Sequence, residues 1–207
     1  MSRLARLDVV GLTKRLGDRV VLDGISLTVD AGRAVAVVGA NGAGKTTLLR
    51  CVVGALIPDA GEIRLDGRPL RETDPTARAA VACVLDDVDF FPDLSVAEHL
   101  DLLARAHGDT EPDLAGVLGE FGLTAAAAQL PVTLSSGQRR RFMLASCFVR
   151  PRSVLVLDEP EQRLDVVGRQ GLTKRLLAEK GDGRAILLAT HDDELRDAVA
   201  DEIVAIG

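Results

Sequence analysis

The nine residues GANGAGKTT, at positions 39–47, constrain the fold of this chain more than any other segment. They match the pattern GxxxxGK[ST] in every fixed position. The run RAVAVV before them predicts a buried strand, and KTTLLRCVVGAL after the glycines carries apolar residues at helical spacing. A glycine turn with a chance lysine is the alternative, and the flanking order of strand, loop and helix disfavours it.

The chemistry of this loop is that of phosphate binding. Glycines let backbone N–H groups converge on phosphate oxygens without a Cβ in the way. The lysine can reach the β- and γ-phosphates, and the threonine hydroxyl can bind Mg²⁺. The predicted binding residues are Gly39, Asn41, Gly42, Ala43, Gly44, Lys45, Thr46 and Thr47, with Thr46 as a metal ligand.

Two acids end the apolar segment VLVLDE at 154–159. We expect Asp158 to hold Mg²⁺ through water and Glu159 to polarise the attacking water as a general base. Alone, this pattern is typical of a solvated strand end, but after a complete phosphate-binding loop it predicts a hydrolytic site. His191 follows another apolar strand; a lone histidine is usually structural, and its role depends on the resemblance described below.

Strands and helices alternate along the chain. Strands are predicted at 33–38, 62–65, 79–85, 153–160 and 184–193, and in the final segment EIVAIG. The region from Ser95 to about Phe148 is predicted to be mostly helical, and it begins with Ser95 and Glu98 at capping-box spacing. This order predicts a mainly parallel α/β core with a helical subdomain at about 95–150.

Charge and hydropathy exclude several function classes. A net charge of −6 argues against nucleic acid as a partner, because neutralising its phosphates needs a basic face. The N-terminus MSRLARLDVVGLTKR has no apolar region typical of a secretory signal. The longest apolar runs are far below the roughly 20 residues of a membrane span. We therefore expect that the chain does not cross a membrane by itself.

The segment LSSGQRRRF, at 134–142, is a second candidate anion site at a helix N-terminus. With these segments in this order, nearly the whole chain resembles an ABC-family ATPase, the nucleotide-binding subunit of ATP-binding cassette transporters. GANGAGKTT is similar to Walker A, VLVLDEP to Walker B with the catalytic glutamate, and LSSGQ to the signature LSGGQ, with Ser136 replacing a glycine. QRLD at 162–165 stands where the D-loop belongs, and ATHDD resembles the switch-histidine segment.

The resemblance implies one domain over 1–207. Its P-loop NTPase core, with a mainly parallel sheet and an N-terminal antiparallel β portion, would occupy about 1–94 and 151–207, and the helical subdomain about 95–150. The resemblance also implies a Mg²⁺-dependent ATPase that binds ATP, with Glu159 and His191 as catalytic residues and His191 near the γ-phosphate.

In this family two cassettes dimerise head to tail, and each ATP lies between one chain's P-loop and the other chain's signature. The resemblance therefore implies that Ser135 and Gly137 bind the γ-phosphate held by Lys45 of the partner subunit. Gln138 and Asp165, in the signature and the D-loop, belong to the same predicted site. The partner is expected to be a second copy of this chain or a related cassette, and LSSGQ can cap its own helix at the same time.

Three positions depart from the family pattern. Leu16 stands where an adenine-stacking aromatic residue is expected, so adenine would rest on aliphatic surface with relaxed base selectivity. Gln162 replaces the serine with which the D-loop usually begins. Asp86 stands in place of the Q-loop glutamine and is expected to reach the metal through water. The alternatives are that Asp86 faces solvent or that Asp87 takes its place.

The function implied by the resemblance is ATP binding and hydrolysis that power an ABC transporter through a separate membrane permease. Such a subunit is cytoplasmic and peripheral on the inner face of the membrane. The region from Asp86 to Leu94 is the expected docking surface for the permease, and Phe90, Phe91 and Pro92 are either docking residues or core.

Other function classes compete with this one. The main alternative is a soluble ABC-type ATPase switch that is not coupled to transport. A cassette that binds ATP as a structural switch and barely hydrolyses it is disfavoured by Glu159 and His191, whereas Leu16 and Asp86 leave it open. ATPases of the same family that act on ribosomes or DNA are disfavoured by the single acidic cassette, and LSSGQ disfavours a P-loop kinase of small molecules.

Overall fold

The computed structural model describes residues 5–70, 73–85 and 89–207. Its strands are β1 (Leu7–Leu16), β2 (Arg19–Val29), β3 (Ala34–Val38), β4 (Ala60–Leu65), β5 (Arg68–Pro69), β6 (Val81–Val84), β7 (Val154–Asp158), β8 (Ala185–Ala189) and β9 (Glu202–Ala205). Its helices are α1 (Lys45–Val52), α2 (Pro75–Ala80), α3 (Val96–Ala106), α4 (Leu114–Glu120), α5 (Ser136–Phe148), α6 (Val166–Gly181) and α7 (Asp193–Val199). Short 3₁₀ turns lie at Thr124–Ala126 and Pro131–Thr133.

A parallel sheet carries the predicted site segments. Its five strands lie in the order β6-β7-β8-β3-β9, and every described pairing between them is parallel. In the register of this sheet, Ala189 lies opposite both Val37 and Asp158. Because parallel strands end at the same edge, the loops that follow β3, β7 and β8 meet there.

Both faces of the parallel sheet are buried. Ala36, Leu155 and Leu188 face a cluster that includes Phe142 and Leu144 of α5, and residues of α6 and α7 also belong to it. The alternate residues of the same strands face α1 and the second sheet. Strands covered on both sides have no polar face, which is why their sequences are continuous apolar runs.

The second sheet is antiparallel, with strands in the order β2-β1-β4-β5. Leu7, Leu12 and Leu22 on β1 and β2 are buried with Leu48 and Leu49 of α1, so this sheet covers one side of the nucleotide-binding loop. The predicted class, an α/β protein with a mainly parallel sheet and an N-terminal antiparallel β portion, is confirmed.

The region between β6 and β7 is mostly helical, as predicted. Ser95 and Glu98 form the expected capping box at the start of α3, with Ser95 N donating to Glu98 Oε2 at 2.8 Å. The strand predicted at 79–85 is shorter, because helix α2 includes residues 79 and 80. Helix α6 was not predicted. No helix in the described ranges has both the length and the apolar character needed to cross a membrane.

Candidate nucleotide and magnesium site

The loop between β3 and α1 requires glycine at two positions. Gly44 is the N-cap of α1 with φ of 108°, in the left-handed region, and a Cβ there would lie 2.9 Å from the Val21 carbonyl oxygen. A Cβ on Gly39 would lie 2.4 Å from the carbonyl oxygen of Ile206. The loop is therefore packed against neighbouring backbone, and it leaves the first N–H groups of α1 without a side-chain cap.

The Lys45 ammonium lies inside this loop. Nζ donates to the carbonyl oxygens of Gly39 at 2.7 Å and Ala40 at 3.1 Å, and the side chain is buried. The positive charge of Lys45 is thus surrounded by backbone groups of the loop. An anionic phosphate group can replace the two carbonyl oxygens as the partner of this ammonium.

Two of the three predicted Mg²⁺ ligands, Thr46 and Asp158, are in direct contact. Thr46 Oγ1 donates to Asp158 Oδ2 at 2.5 Å, and Asp158 is 8% exposed. The described residues contain no group of three or more His, Cys, Asp or Glu side chains that could hold a metal alone. Mg²⁺ in nucleotide sites takes one or two protein oxygens and completes its shell with phosphates and water. Thr46 and Asp158 are an oxygen pair of that kind, so the site fits the ion.

The carboxylate of Glu159 faces the imidazole of His191. Glu159 Oε1 lies 3.2 Å from His191 Nε2, with the two side chains 25% and 47% exposed. Glu159 has φ of 44°, a left-handed conformation that non-glycine residues rarely adopt, and its backbone N–H donates to Ala189 O at 2.8 Å. The left-handed backbone of Glu159 ends the extended conformation of β7. The hydrogen bond to Ala189 connects this end of β7 to β8.

A buried arginine from α5 stabilises this strained turn. Arg140 Nη2 donates to the carbonyl oxygens of Asp158 at 2.9 Å and Glu159 at 2.6 Å. The sequence analysis missed this role, because Arg140 is the middle one of three consecutive arginines and only the packing of α5 distinguishes it. Helix α5 thus contacts the end of β7 and the turn that follows it within one chain.

A cleft of about 630 Å³ opens in front of the loop. Its lining includes Leu16, 49% exposed at the end of β1, together with Arg19 and Val21 of β2. The remaining lining residues are Asn41, Gly42, Gly44, Lys45, Thr46, Thr47 and Glu159. The cleft therefore joins the phosphate-binding loop to an aliphatic surface at the position predicted for the base.

The signature residues lie at the N-terminus of α5. Ser135 and Gln138 form a capping box, with Ser135 N donating to Gln138 Oε1 at 2.9 Å and Gln138 N donating to Ser135 Oγ at 3.2 Å. Ser135 and Ser136 are exposed. None of the described residues that line the cleft at Lys45 belongs to the signature. The predicted helix cap is present, and the signature is not part of this chain's own nucleotide cleft.

The D-loop connects β7 to α6. Asp165 is the N-cap of α6 and accepts the Gly168 N–H at 2.7 Å, leaving its side chain 67% exposed. Gly137 of the signature packs beside this loop, since a Cβ on it would lie 3.4 Å from Arg163 O. The exposed ends of α5 and α6 therefore form one continuous surface.

The two phenylalanines of the predicted docking surface, Phe90 and Phe91, lie beside α3, where each ring is near His99. Asp86 and Asp87 are outside the described residues. Phe90 stacks on Phe142 with ring centroids 4.1 Å apart and packs against the core, whereas Phe91 is 57% exposed. Of the two phenylalanines, Phe90 is thus a core residue and Phe91 is open to a partner.

Comparisons with known proteins agree with this architecture. The model of the ABC transporter family matches residues 22–162. Nod factor export ATP-binding protein I of Ralstonia nicotianae is 37% identical over 205 residues, which cover 97% of this chain and 64% of that protein. The SkfA peptide export ATP-binding protein SkfE of Bacillus subtilis is 34% identical over 206 residues, covering 97% of this chain and 84% of that protein.

A solved structure also resembles this chain in fold. The structure of the ATP-binding subunit of an ABC transporter aligns with a TM-score of 0.88 at 29% identity, covering 97% of this chain and 85% of that one. The chain spans slightly less than two thirds of the length of the Ralstonia relative.

Proposed function

The chain belongs to the ABC transporter family, whose matched members are ATP-binding proteins, and from this premise we propose that it hydrolyses ATP to power transport through a separate permease. One observation carries the proposal. The Thr46–Asp158 hydrogen bond and the Glu159–His191 pair lie at the same edge of one parallel sheet. This arrangement supports the assignment of a metal-binding oxygen pair, a general base and a histidine beside one phosphate-binding loop.

ATP binding is assigned to the loop and the cleft. Backbone N–H groups at the start of α1 and the Lys45 ammonium bind the β- and γ-phosphates. The base lies against Leu16 and Val21, so it is held by aliphatic contact. Thr46 and Asp158 hold Mg²⁺, which when bound supplies neutralisation of charge on the phosphate oxygens. Asp86 is proposed as a further contact to the metal through water.

Hydrolysis is assigned to Glu159 as the general base. It accepts a proton from the attacking water, and a base of this kind contributes about 10²–10⁴-fold to the rate. His191, 3.2 Å away, orients the Glu159 carboxylate and contacts the γ-phosphate. The hydrogen bonds from Arg140 hold the Glu159 backbone in the conformation that directs its side chain.

A complete site requires two chains in this proposal. Ser135 and Ser136 are exposed, and the signature lies outside the cleft at Lys45, so its helix N-terminus is available to a γ-phosphate held by a partner. Gly137 and Gln138 are half-buried at the same helix end, and Asp165 is exposed. We therefore assign a head-to-tail dimer, of two copies or of this chain and a related cassette.

The permease docks beside the helical subdomain, where Phe91 offers an exposed aromatic side chain. The two named relatives serve export, which favours an export system for this chain as well. The proposal places the chain on the cytoplasmic face of a membrane. It also divides residues 1–207 into a core at about 1–94 and 151–207 and a helical subdomain at about 95–150.

Phosphate release by the purified protein tests the proposal. We expect hydrolysis of ATP that disappears with EDTA and returns with Mg²⁺. The Lys45→Ala variant is the matched control, because it leaves the other site residues in place and should release no phosphate. Tight ATP binding without phosphate release, with or without Mg²⁺, would favour the alternative of a nucleotide-binding switch.

A further inference from the structure

We propose that Glu161 is a positioning residue that fixes the backbone at His191 and so holds the His191 imidazole beside Glu159. The inference rests on the proposed ATP hydrolysis. Glu161 is 8% exposed and lies two residues after the general base. It does not line the nucleotide cleft in the described part of the chain, so its role is separate from binding the nucleotide.

A single oxygen of Glu161 connects two loops. Its Oε1 accepts a hydrogen bond from Thr190 Oγ1 at 2.6 Å and a second from the His191 backbone N–H at 3.3 Å. Glu161 belongs to the loop after β7, and Thr190 and His191 belong to the loop after β8. The carboxylate therefore fixes the position of one catalytic segment relative to the other.

The hydrogen bonds continue on the far side of His191. Thr190 Oγ1 accepts the Asp192 N–H at 3.0 Å, and Asp192 Oδ1 caps α7 by accepting the Leu195 N–H at 2.9 Å. Arg169 Nη1 donates to Asp192 Oδ2 at 3.3 Å. Both neighbours of His191 are thus held, and the half-exposed imidazole extends from a fixed backbone towards Glu159.

The second oxygen of Glu161 shows that packing alone does not explain this residue. Oε2 is buried, and no described residue forms a hydrogen bond with it. Burying a carboxylate with one unpaired oxygen destabilises a fold relative to a well-packed apolar side chain. The two hydrogen bonds to the His191 loop are the compensating interaction, which points to a function in placing that loop.

The test compares Glu161→Ala and Glu161→Gln with wild type. In Glu161→Ala we expect kcat to fall by about 10- to 100-fold, the range associated with displacement of a catalytic group, while KM for ATP is unchanged. The His191 backbone amide should also exchange its hydrogen faster. In Glu161→Gln the amide oxygen of the new side chain can accept both hydrogen bonds, so this variant should recover most of the rate.

Controls separate this role from a loss of stability. Glu194→Ala removes an exposed glutamate from α7 and should leave kcat unchanged. If Glu161→Ala does not fold, Thr190→Val replaces it. This variant keeps the side-chain shape and removes the hydroxyl that donates to Glu161, together with the acceptor of the Asp192 N–H. An unchanged kcat and unchanged His191 amide exchange would overturn the inference, as would a Glu161→Gln variant as slow as Glu161→Ala. If the wild-type protein does not hydrolyse ATP, the proposed function fails. The positioning role of Glu161 is then tested only by hydrogen exchange at the His191 backbone amide in wild type and Glu161→Ala.

Discussion

Thr46 and Asp158 are joined by a 2.5 Å hydrogen bond although 112 positions separate them in the chain. The contact forms because α1 begins directly after the phosphate-binding loop, while Asp158 ends β7, two strands away in the parallel sheet. Since each side chain places an oxygen atom at this contact, the sheet topology produces a pair of oxygen ligands suited to Mg²⁺.

Removing the Thr46 hydroxyl should strongly reduce ATP hydrolysis, because it removes one of the two oxygen ligands proposed for Mg²⁺. We expect Thr46→Val to lose Mg²⁺-dependent phosphate release by at least about 10²-fold, because metal-mediated charge neutralisation is a large term in phosphoryl transfer. Thr46→Ser keeps the hydroxyl and should retain activity. The measurement is initial rate against free Mg²⁺, and equal Mg²⁺ curves for the Val and Ser variants would exclude Thr46 as a ligand.

Glu159→Gln should separate ATP binding from hydrolysis. Glutamine preserves the shape of the side chain but cannot accept the proton, so we expect a rate about 10²–10⁴-fold lower with ATP affinity unchanged. The variant should accumulate as an ATP-bound dimer on size-exclusion chromatography. Glu194→Gln, on the exposed face of α7, is the control. Wild-type turnover in Glu159→Gln would assign the base to another residue.

The central part of this site could be predicted from sequence because it consists of short segments at strand ends. Once β3, β7 and β8 are recognised as apolar runs, parallel pairing brings Lys45, Asp158 and His191 to the same edge. The pattern does not give the left-handed backbone of Glu159, which depends on the hydrogen bond that Arg140 donates to the Glu159 carbonyl oxygen and on the one that the Glu159 N–H donates to Ala189 O.

Other features depend on packing that no local pattern encodes. Glu161 contacts Thr190 only because two loops from different strands meet, so its sequence neighbours give no signal. Helix α6 was not predicted because it has three glycines and few buried apolar positions, chiefly Leu172 and Leu176. Tertiary packing stabilises such a helix where local propensity is weak.

Complementation between two inactive variants tests the shared site. Lys45→Ala disables the phosphate-binding loop and Ser135→Arg disables the signature, so neither variant alone should trap ATP in a dimer. A mixed dimer contains one intact loop facing one intact signature, and it should trap ATP at one site per dimer. The measurement is ATP retained by the dimer fraction on size exclusion.

The control for complementation uses chains that cannot form an intact site. Lys45→Ala mixed with the Lys45→Ala/Ser135→Arg double variant has no functional loop in either chain and should trap no ATP. If the first mixture also traps none while wild type does, the signature does not act on the nucleotide of a partner chain.

Breaking a buried ion pair by removing one partner should strongly destabilise the fold. Arg152 and Glu179 form a salt bridge with side chains 7% and 4% exposed, linking the segment before β7 to α6. Glu179→Ala leaves the Arg152 guanidinium buried without its counter-ion and also removes the carboxylate that pairs with Arg175 and Arg184, so we expect a loss of about 3–5 kcal/mol in the free energy of unfolding. Urea denaturation measures this loss through the transition midpoint.

The matched control for Glu179 is Glu120→Ala. Glu120 pairs with Arg175 at 2.8 Å, but these side chains are 32% and 25% exposed, so the loss should be at most about 1 kcal/mol. Equal losses for the two variants would show that burial does not determine the contribution of these pairs.

Leu16 should determine the affinity and selectivity of the site for the nucleotide base. Its side chain is 49% exposed at the mouth of the cleft and gives aliphatic contact where a ring would stack. We therefore expect wild type to accept GTP with a KM within about tenfold of that for ATP. An aromatic ring stacked on a base contributes about 1–3 kcal/mol, so Leu16→Tyr should lower the KM for ATP by at least about fivefold.

The control for Leu16→Tyr is Val20→Tyr, which introduces the same ring on the neighbouring strand. Val20 is 43% exposed but does not line the cleft, so this variant should leave the KM for ATP unchanged. Equal effects of the two tyrosines, or none from Leu16→Tyr, would place the base away from Leu16.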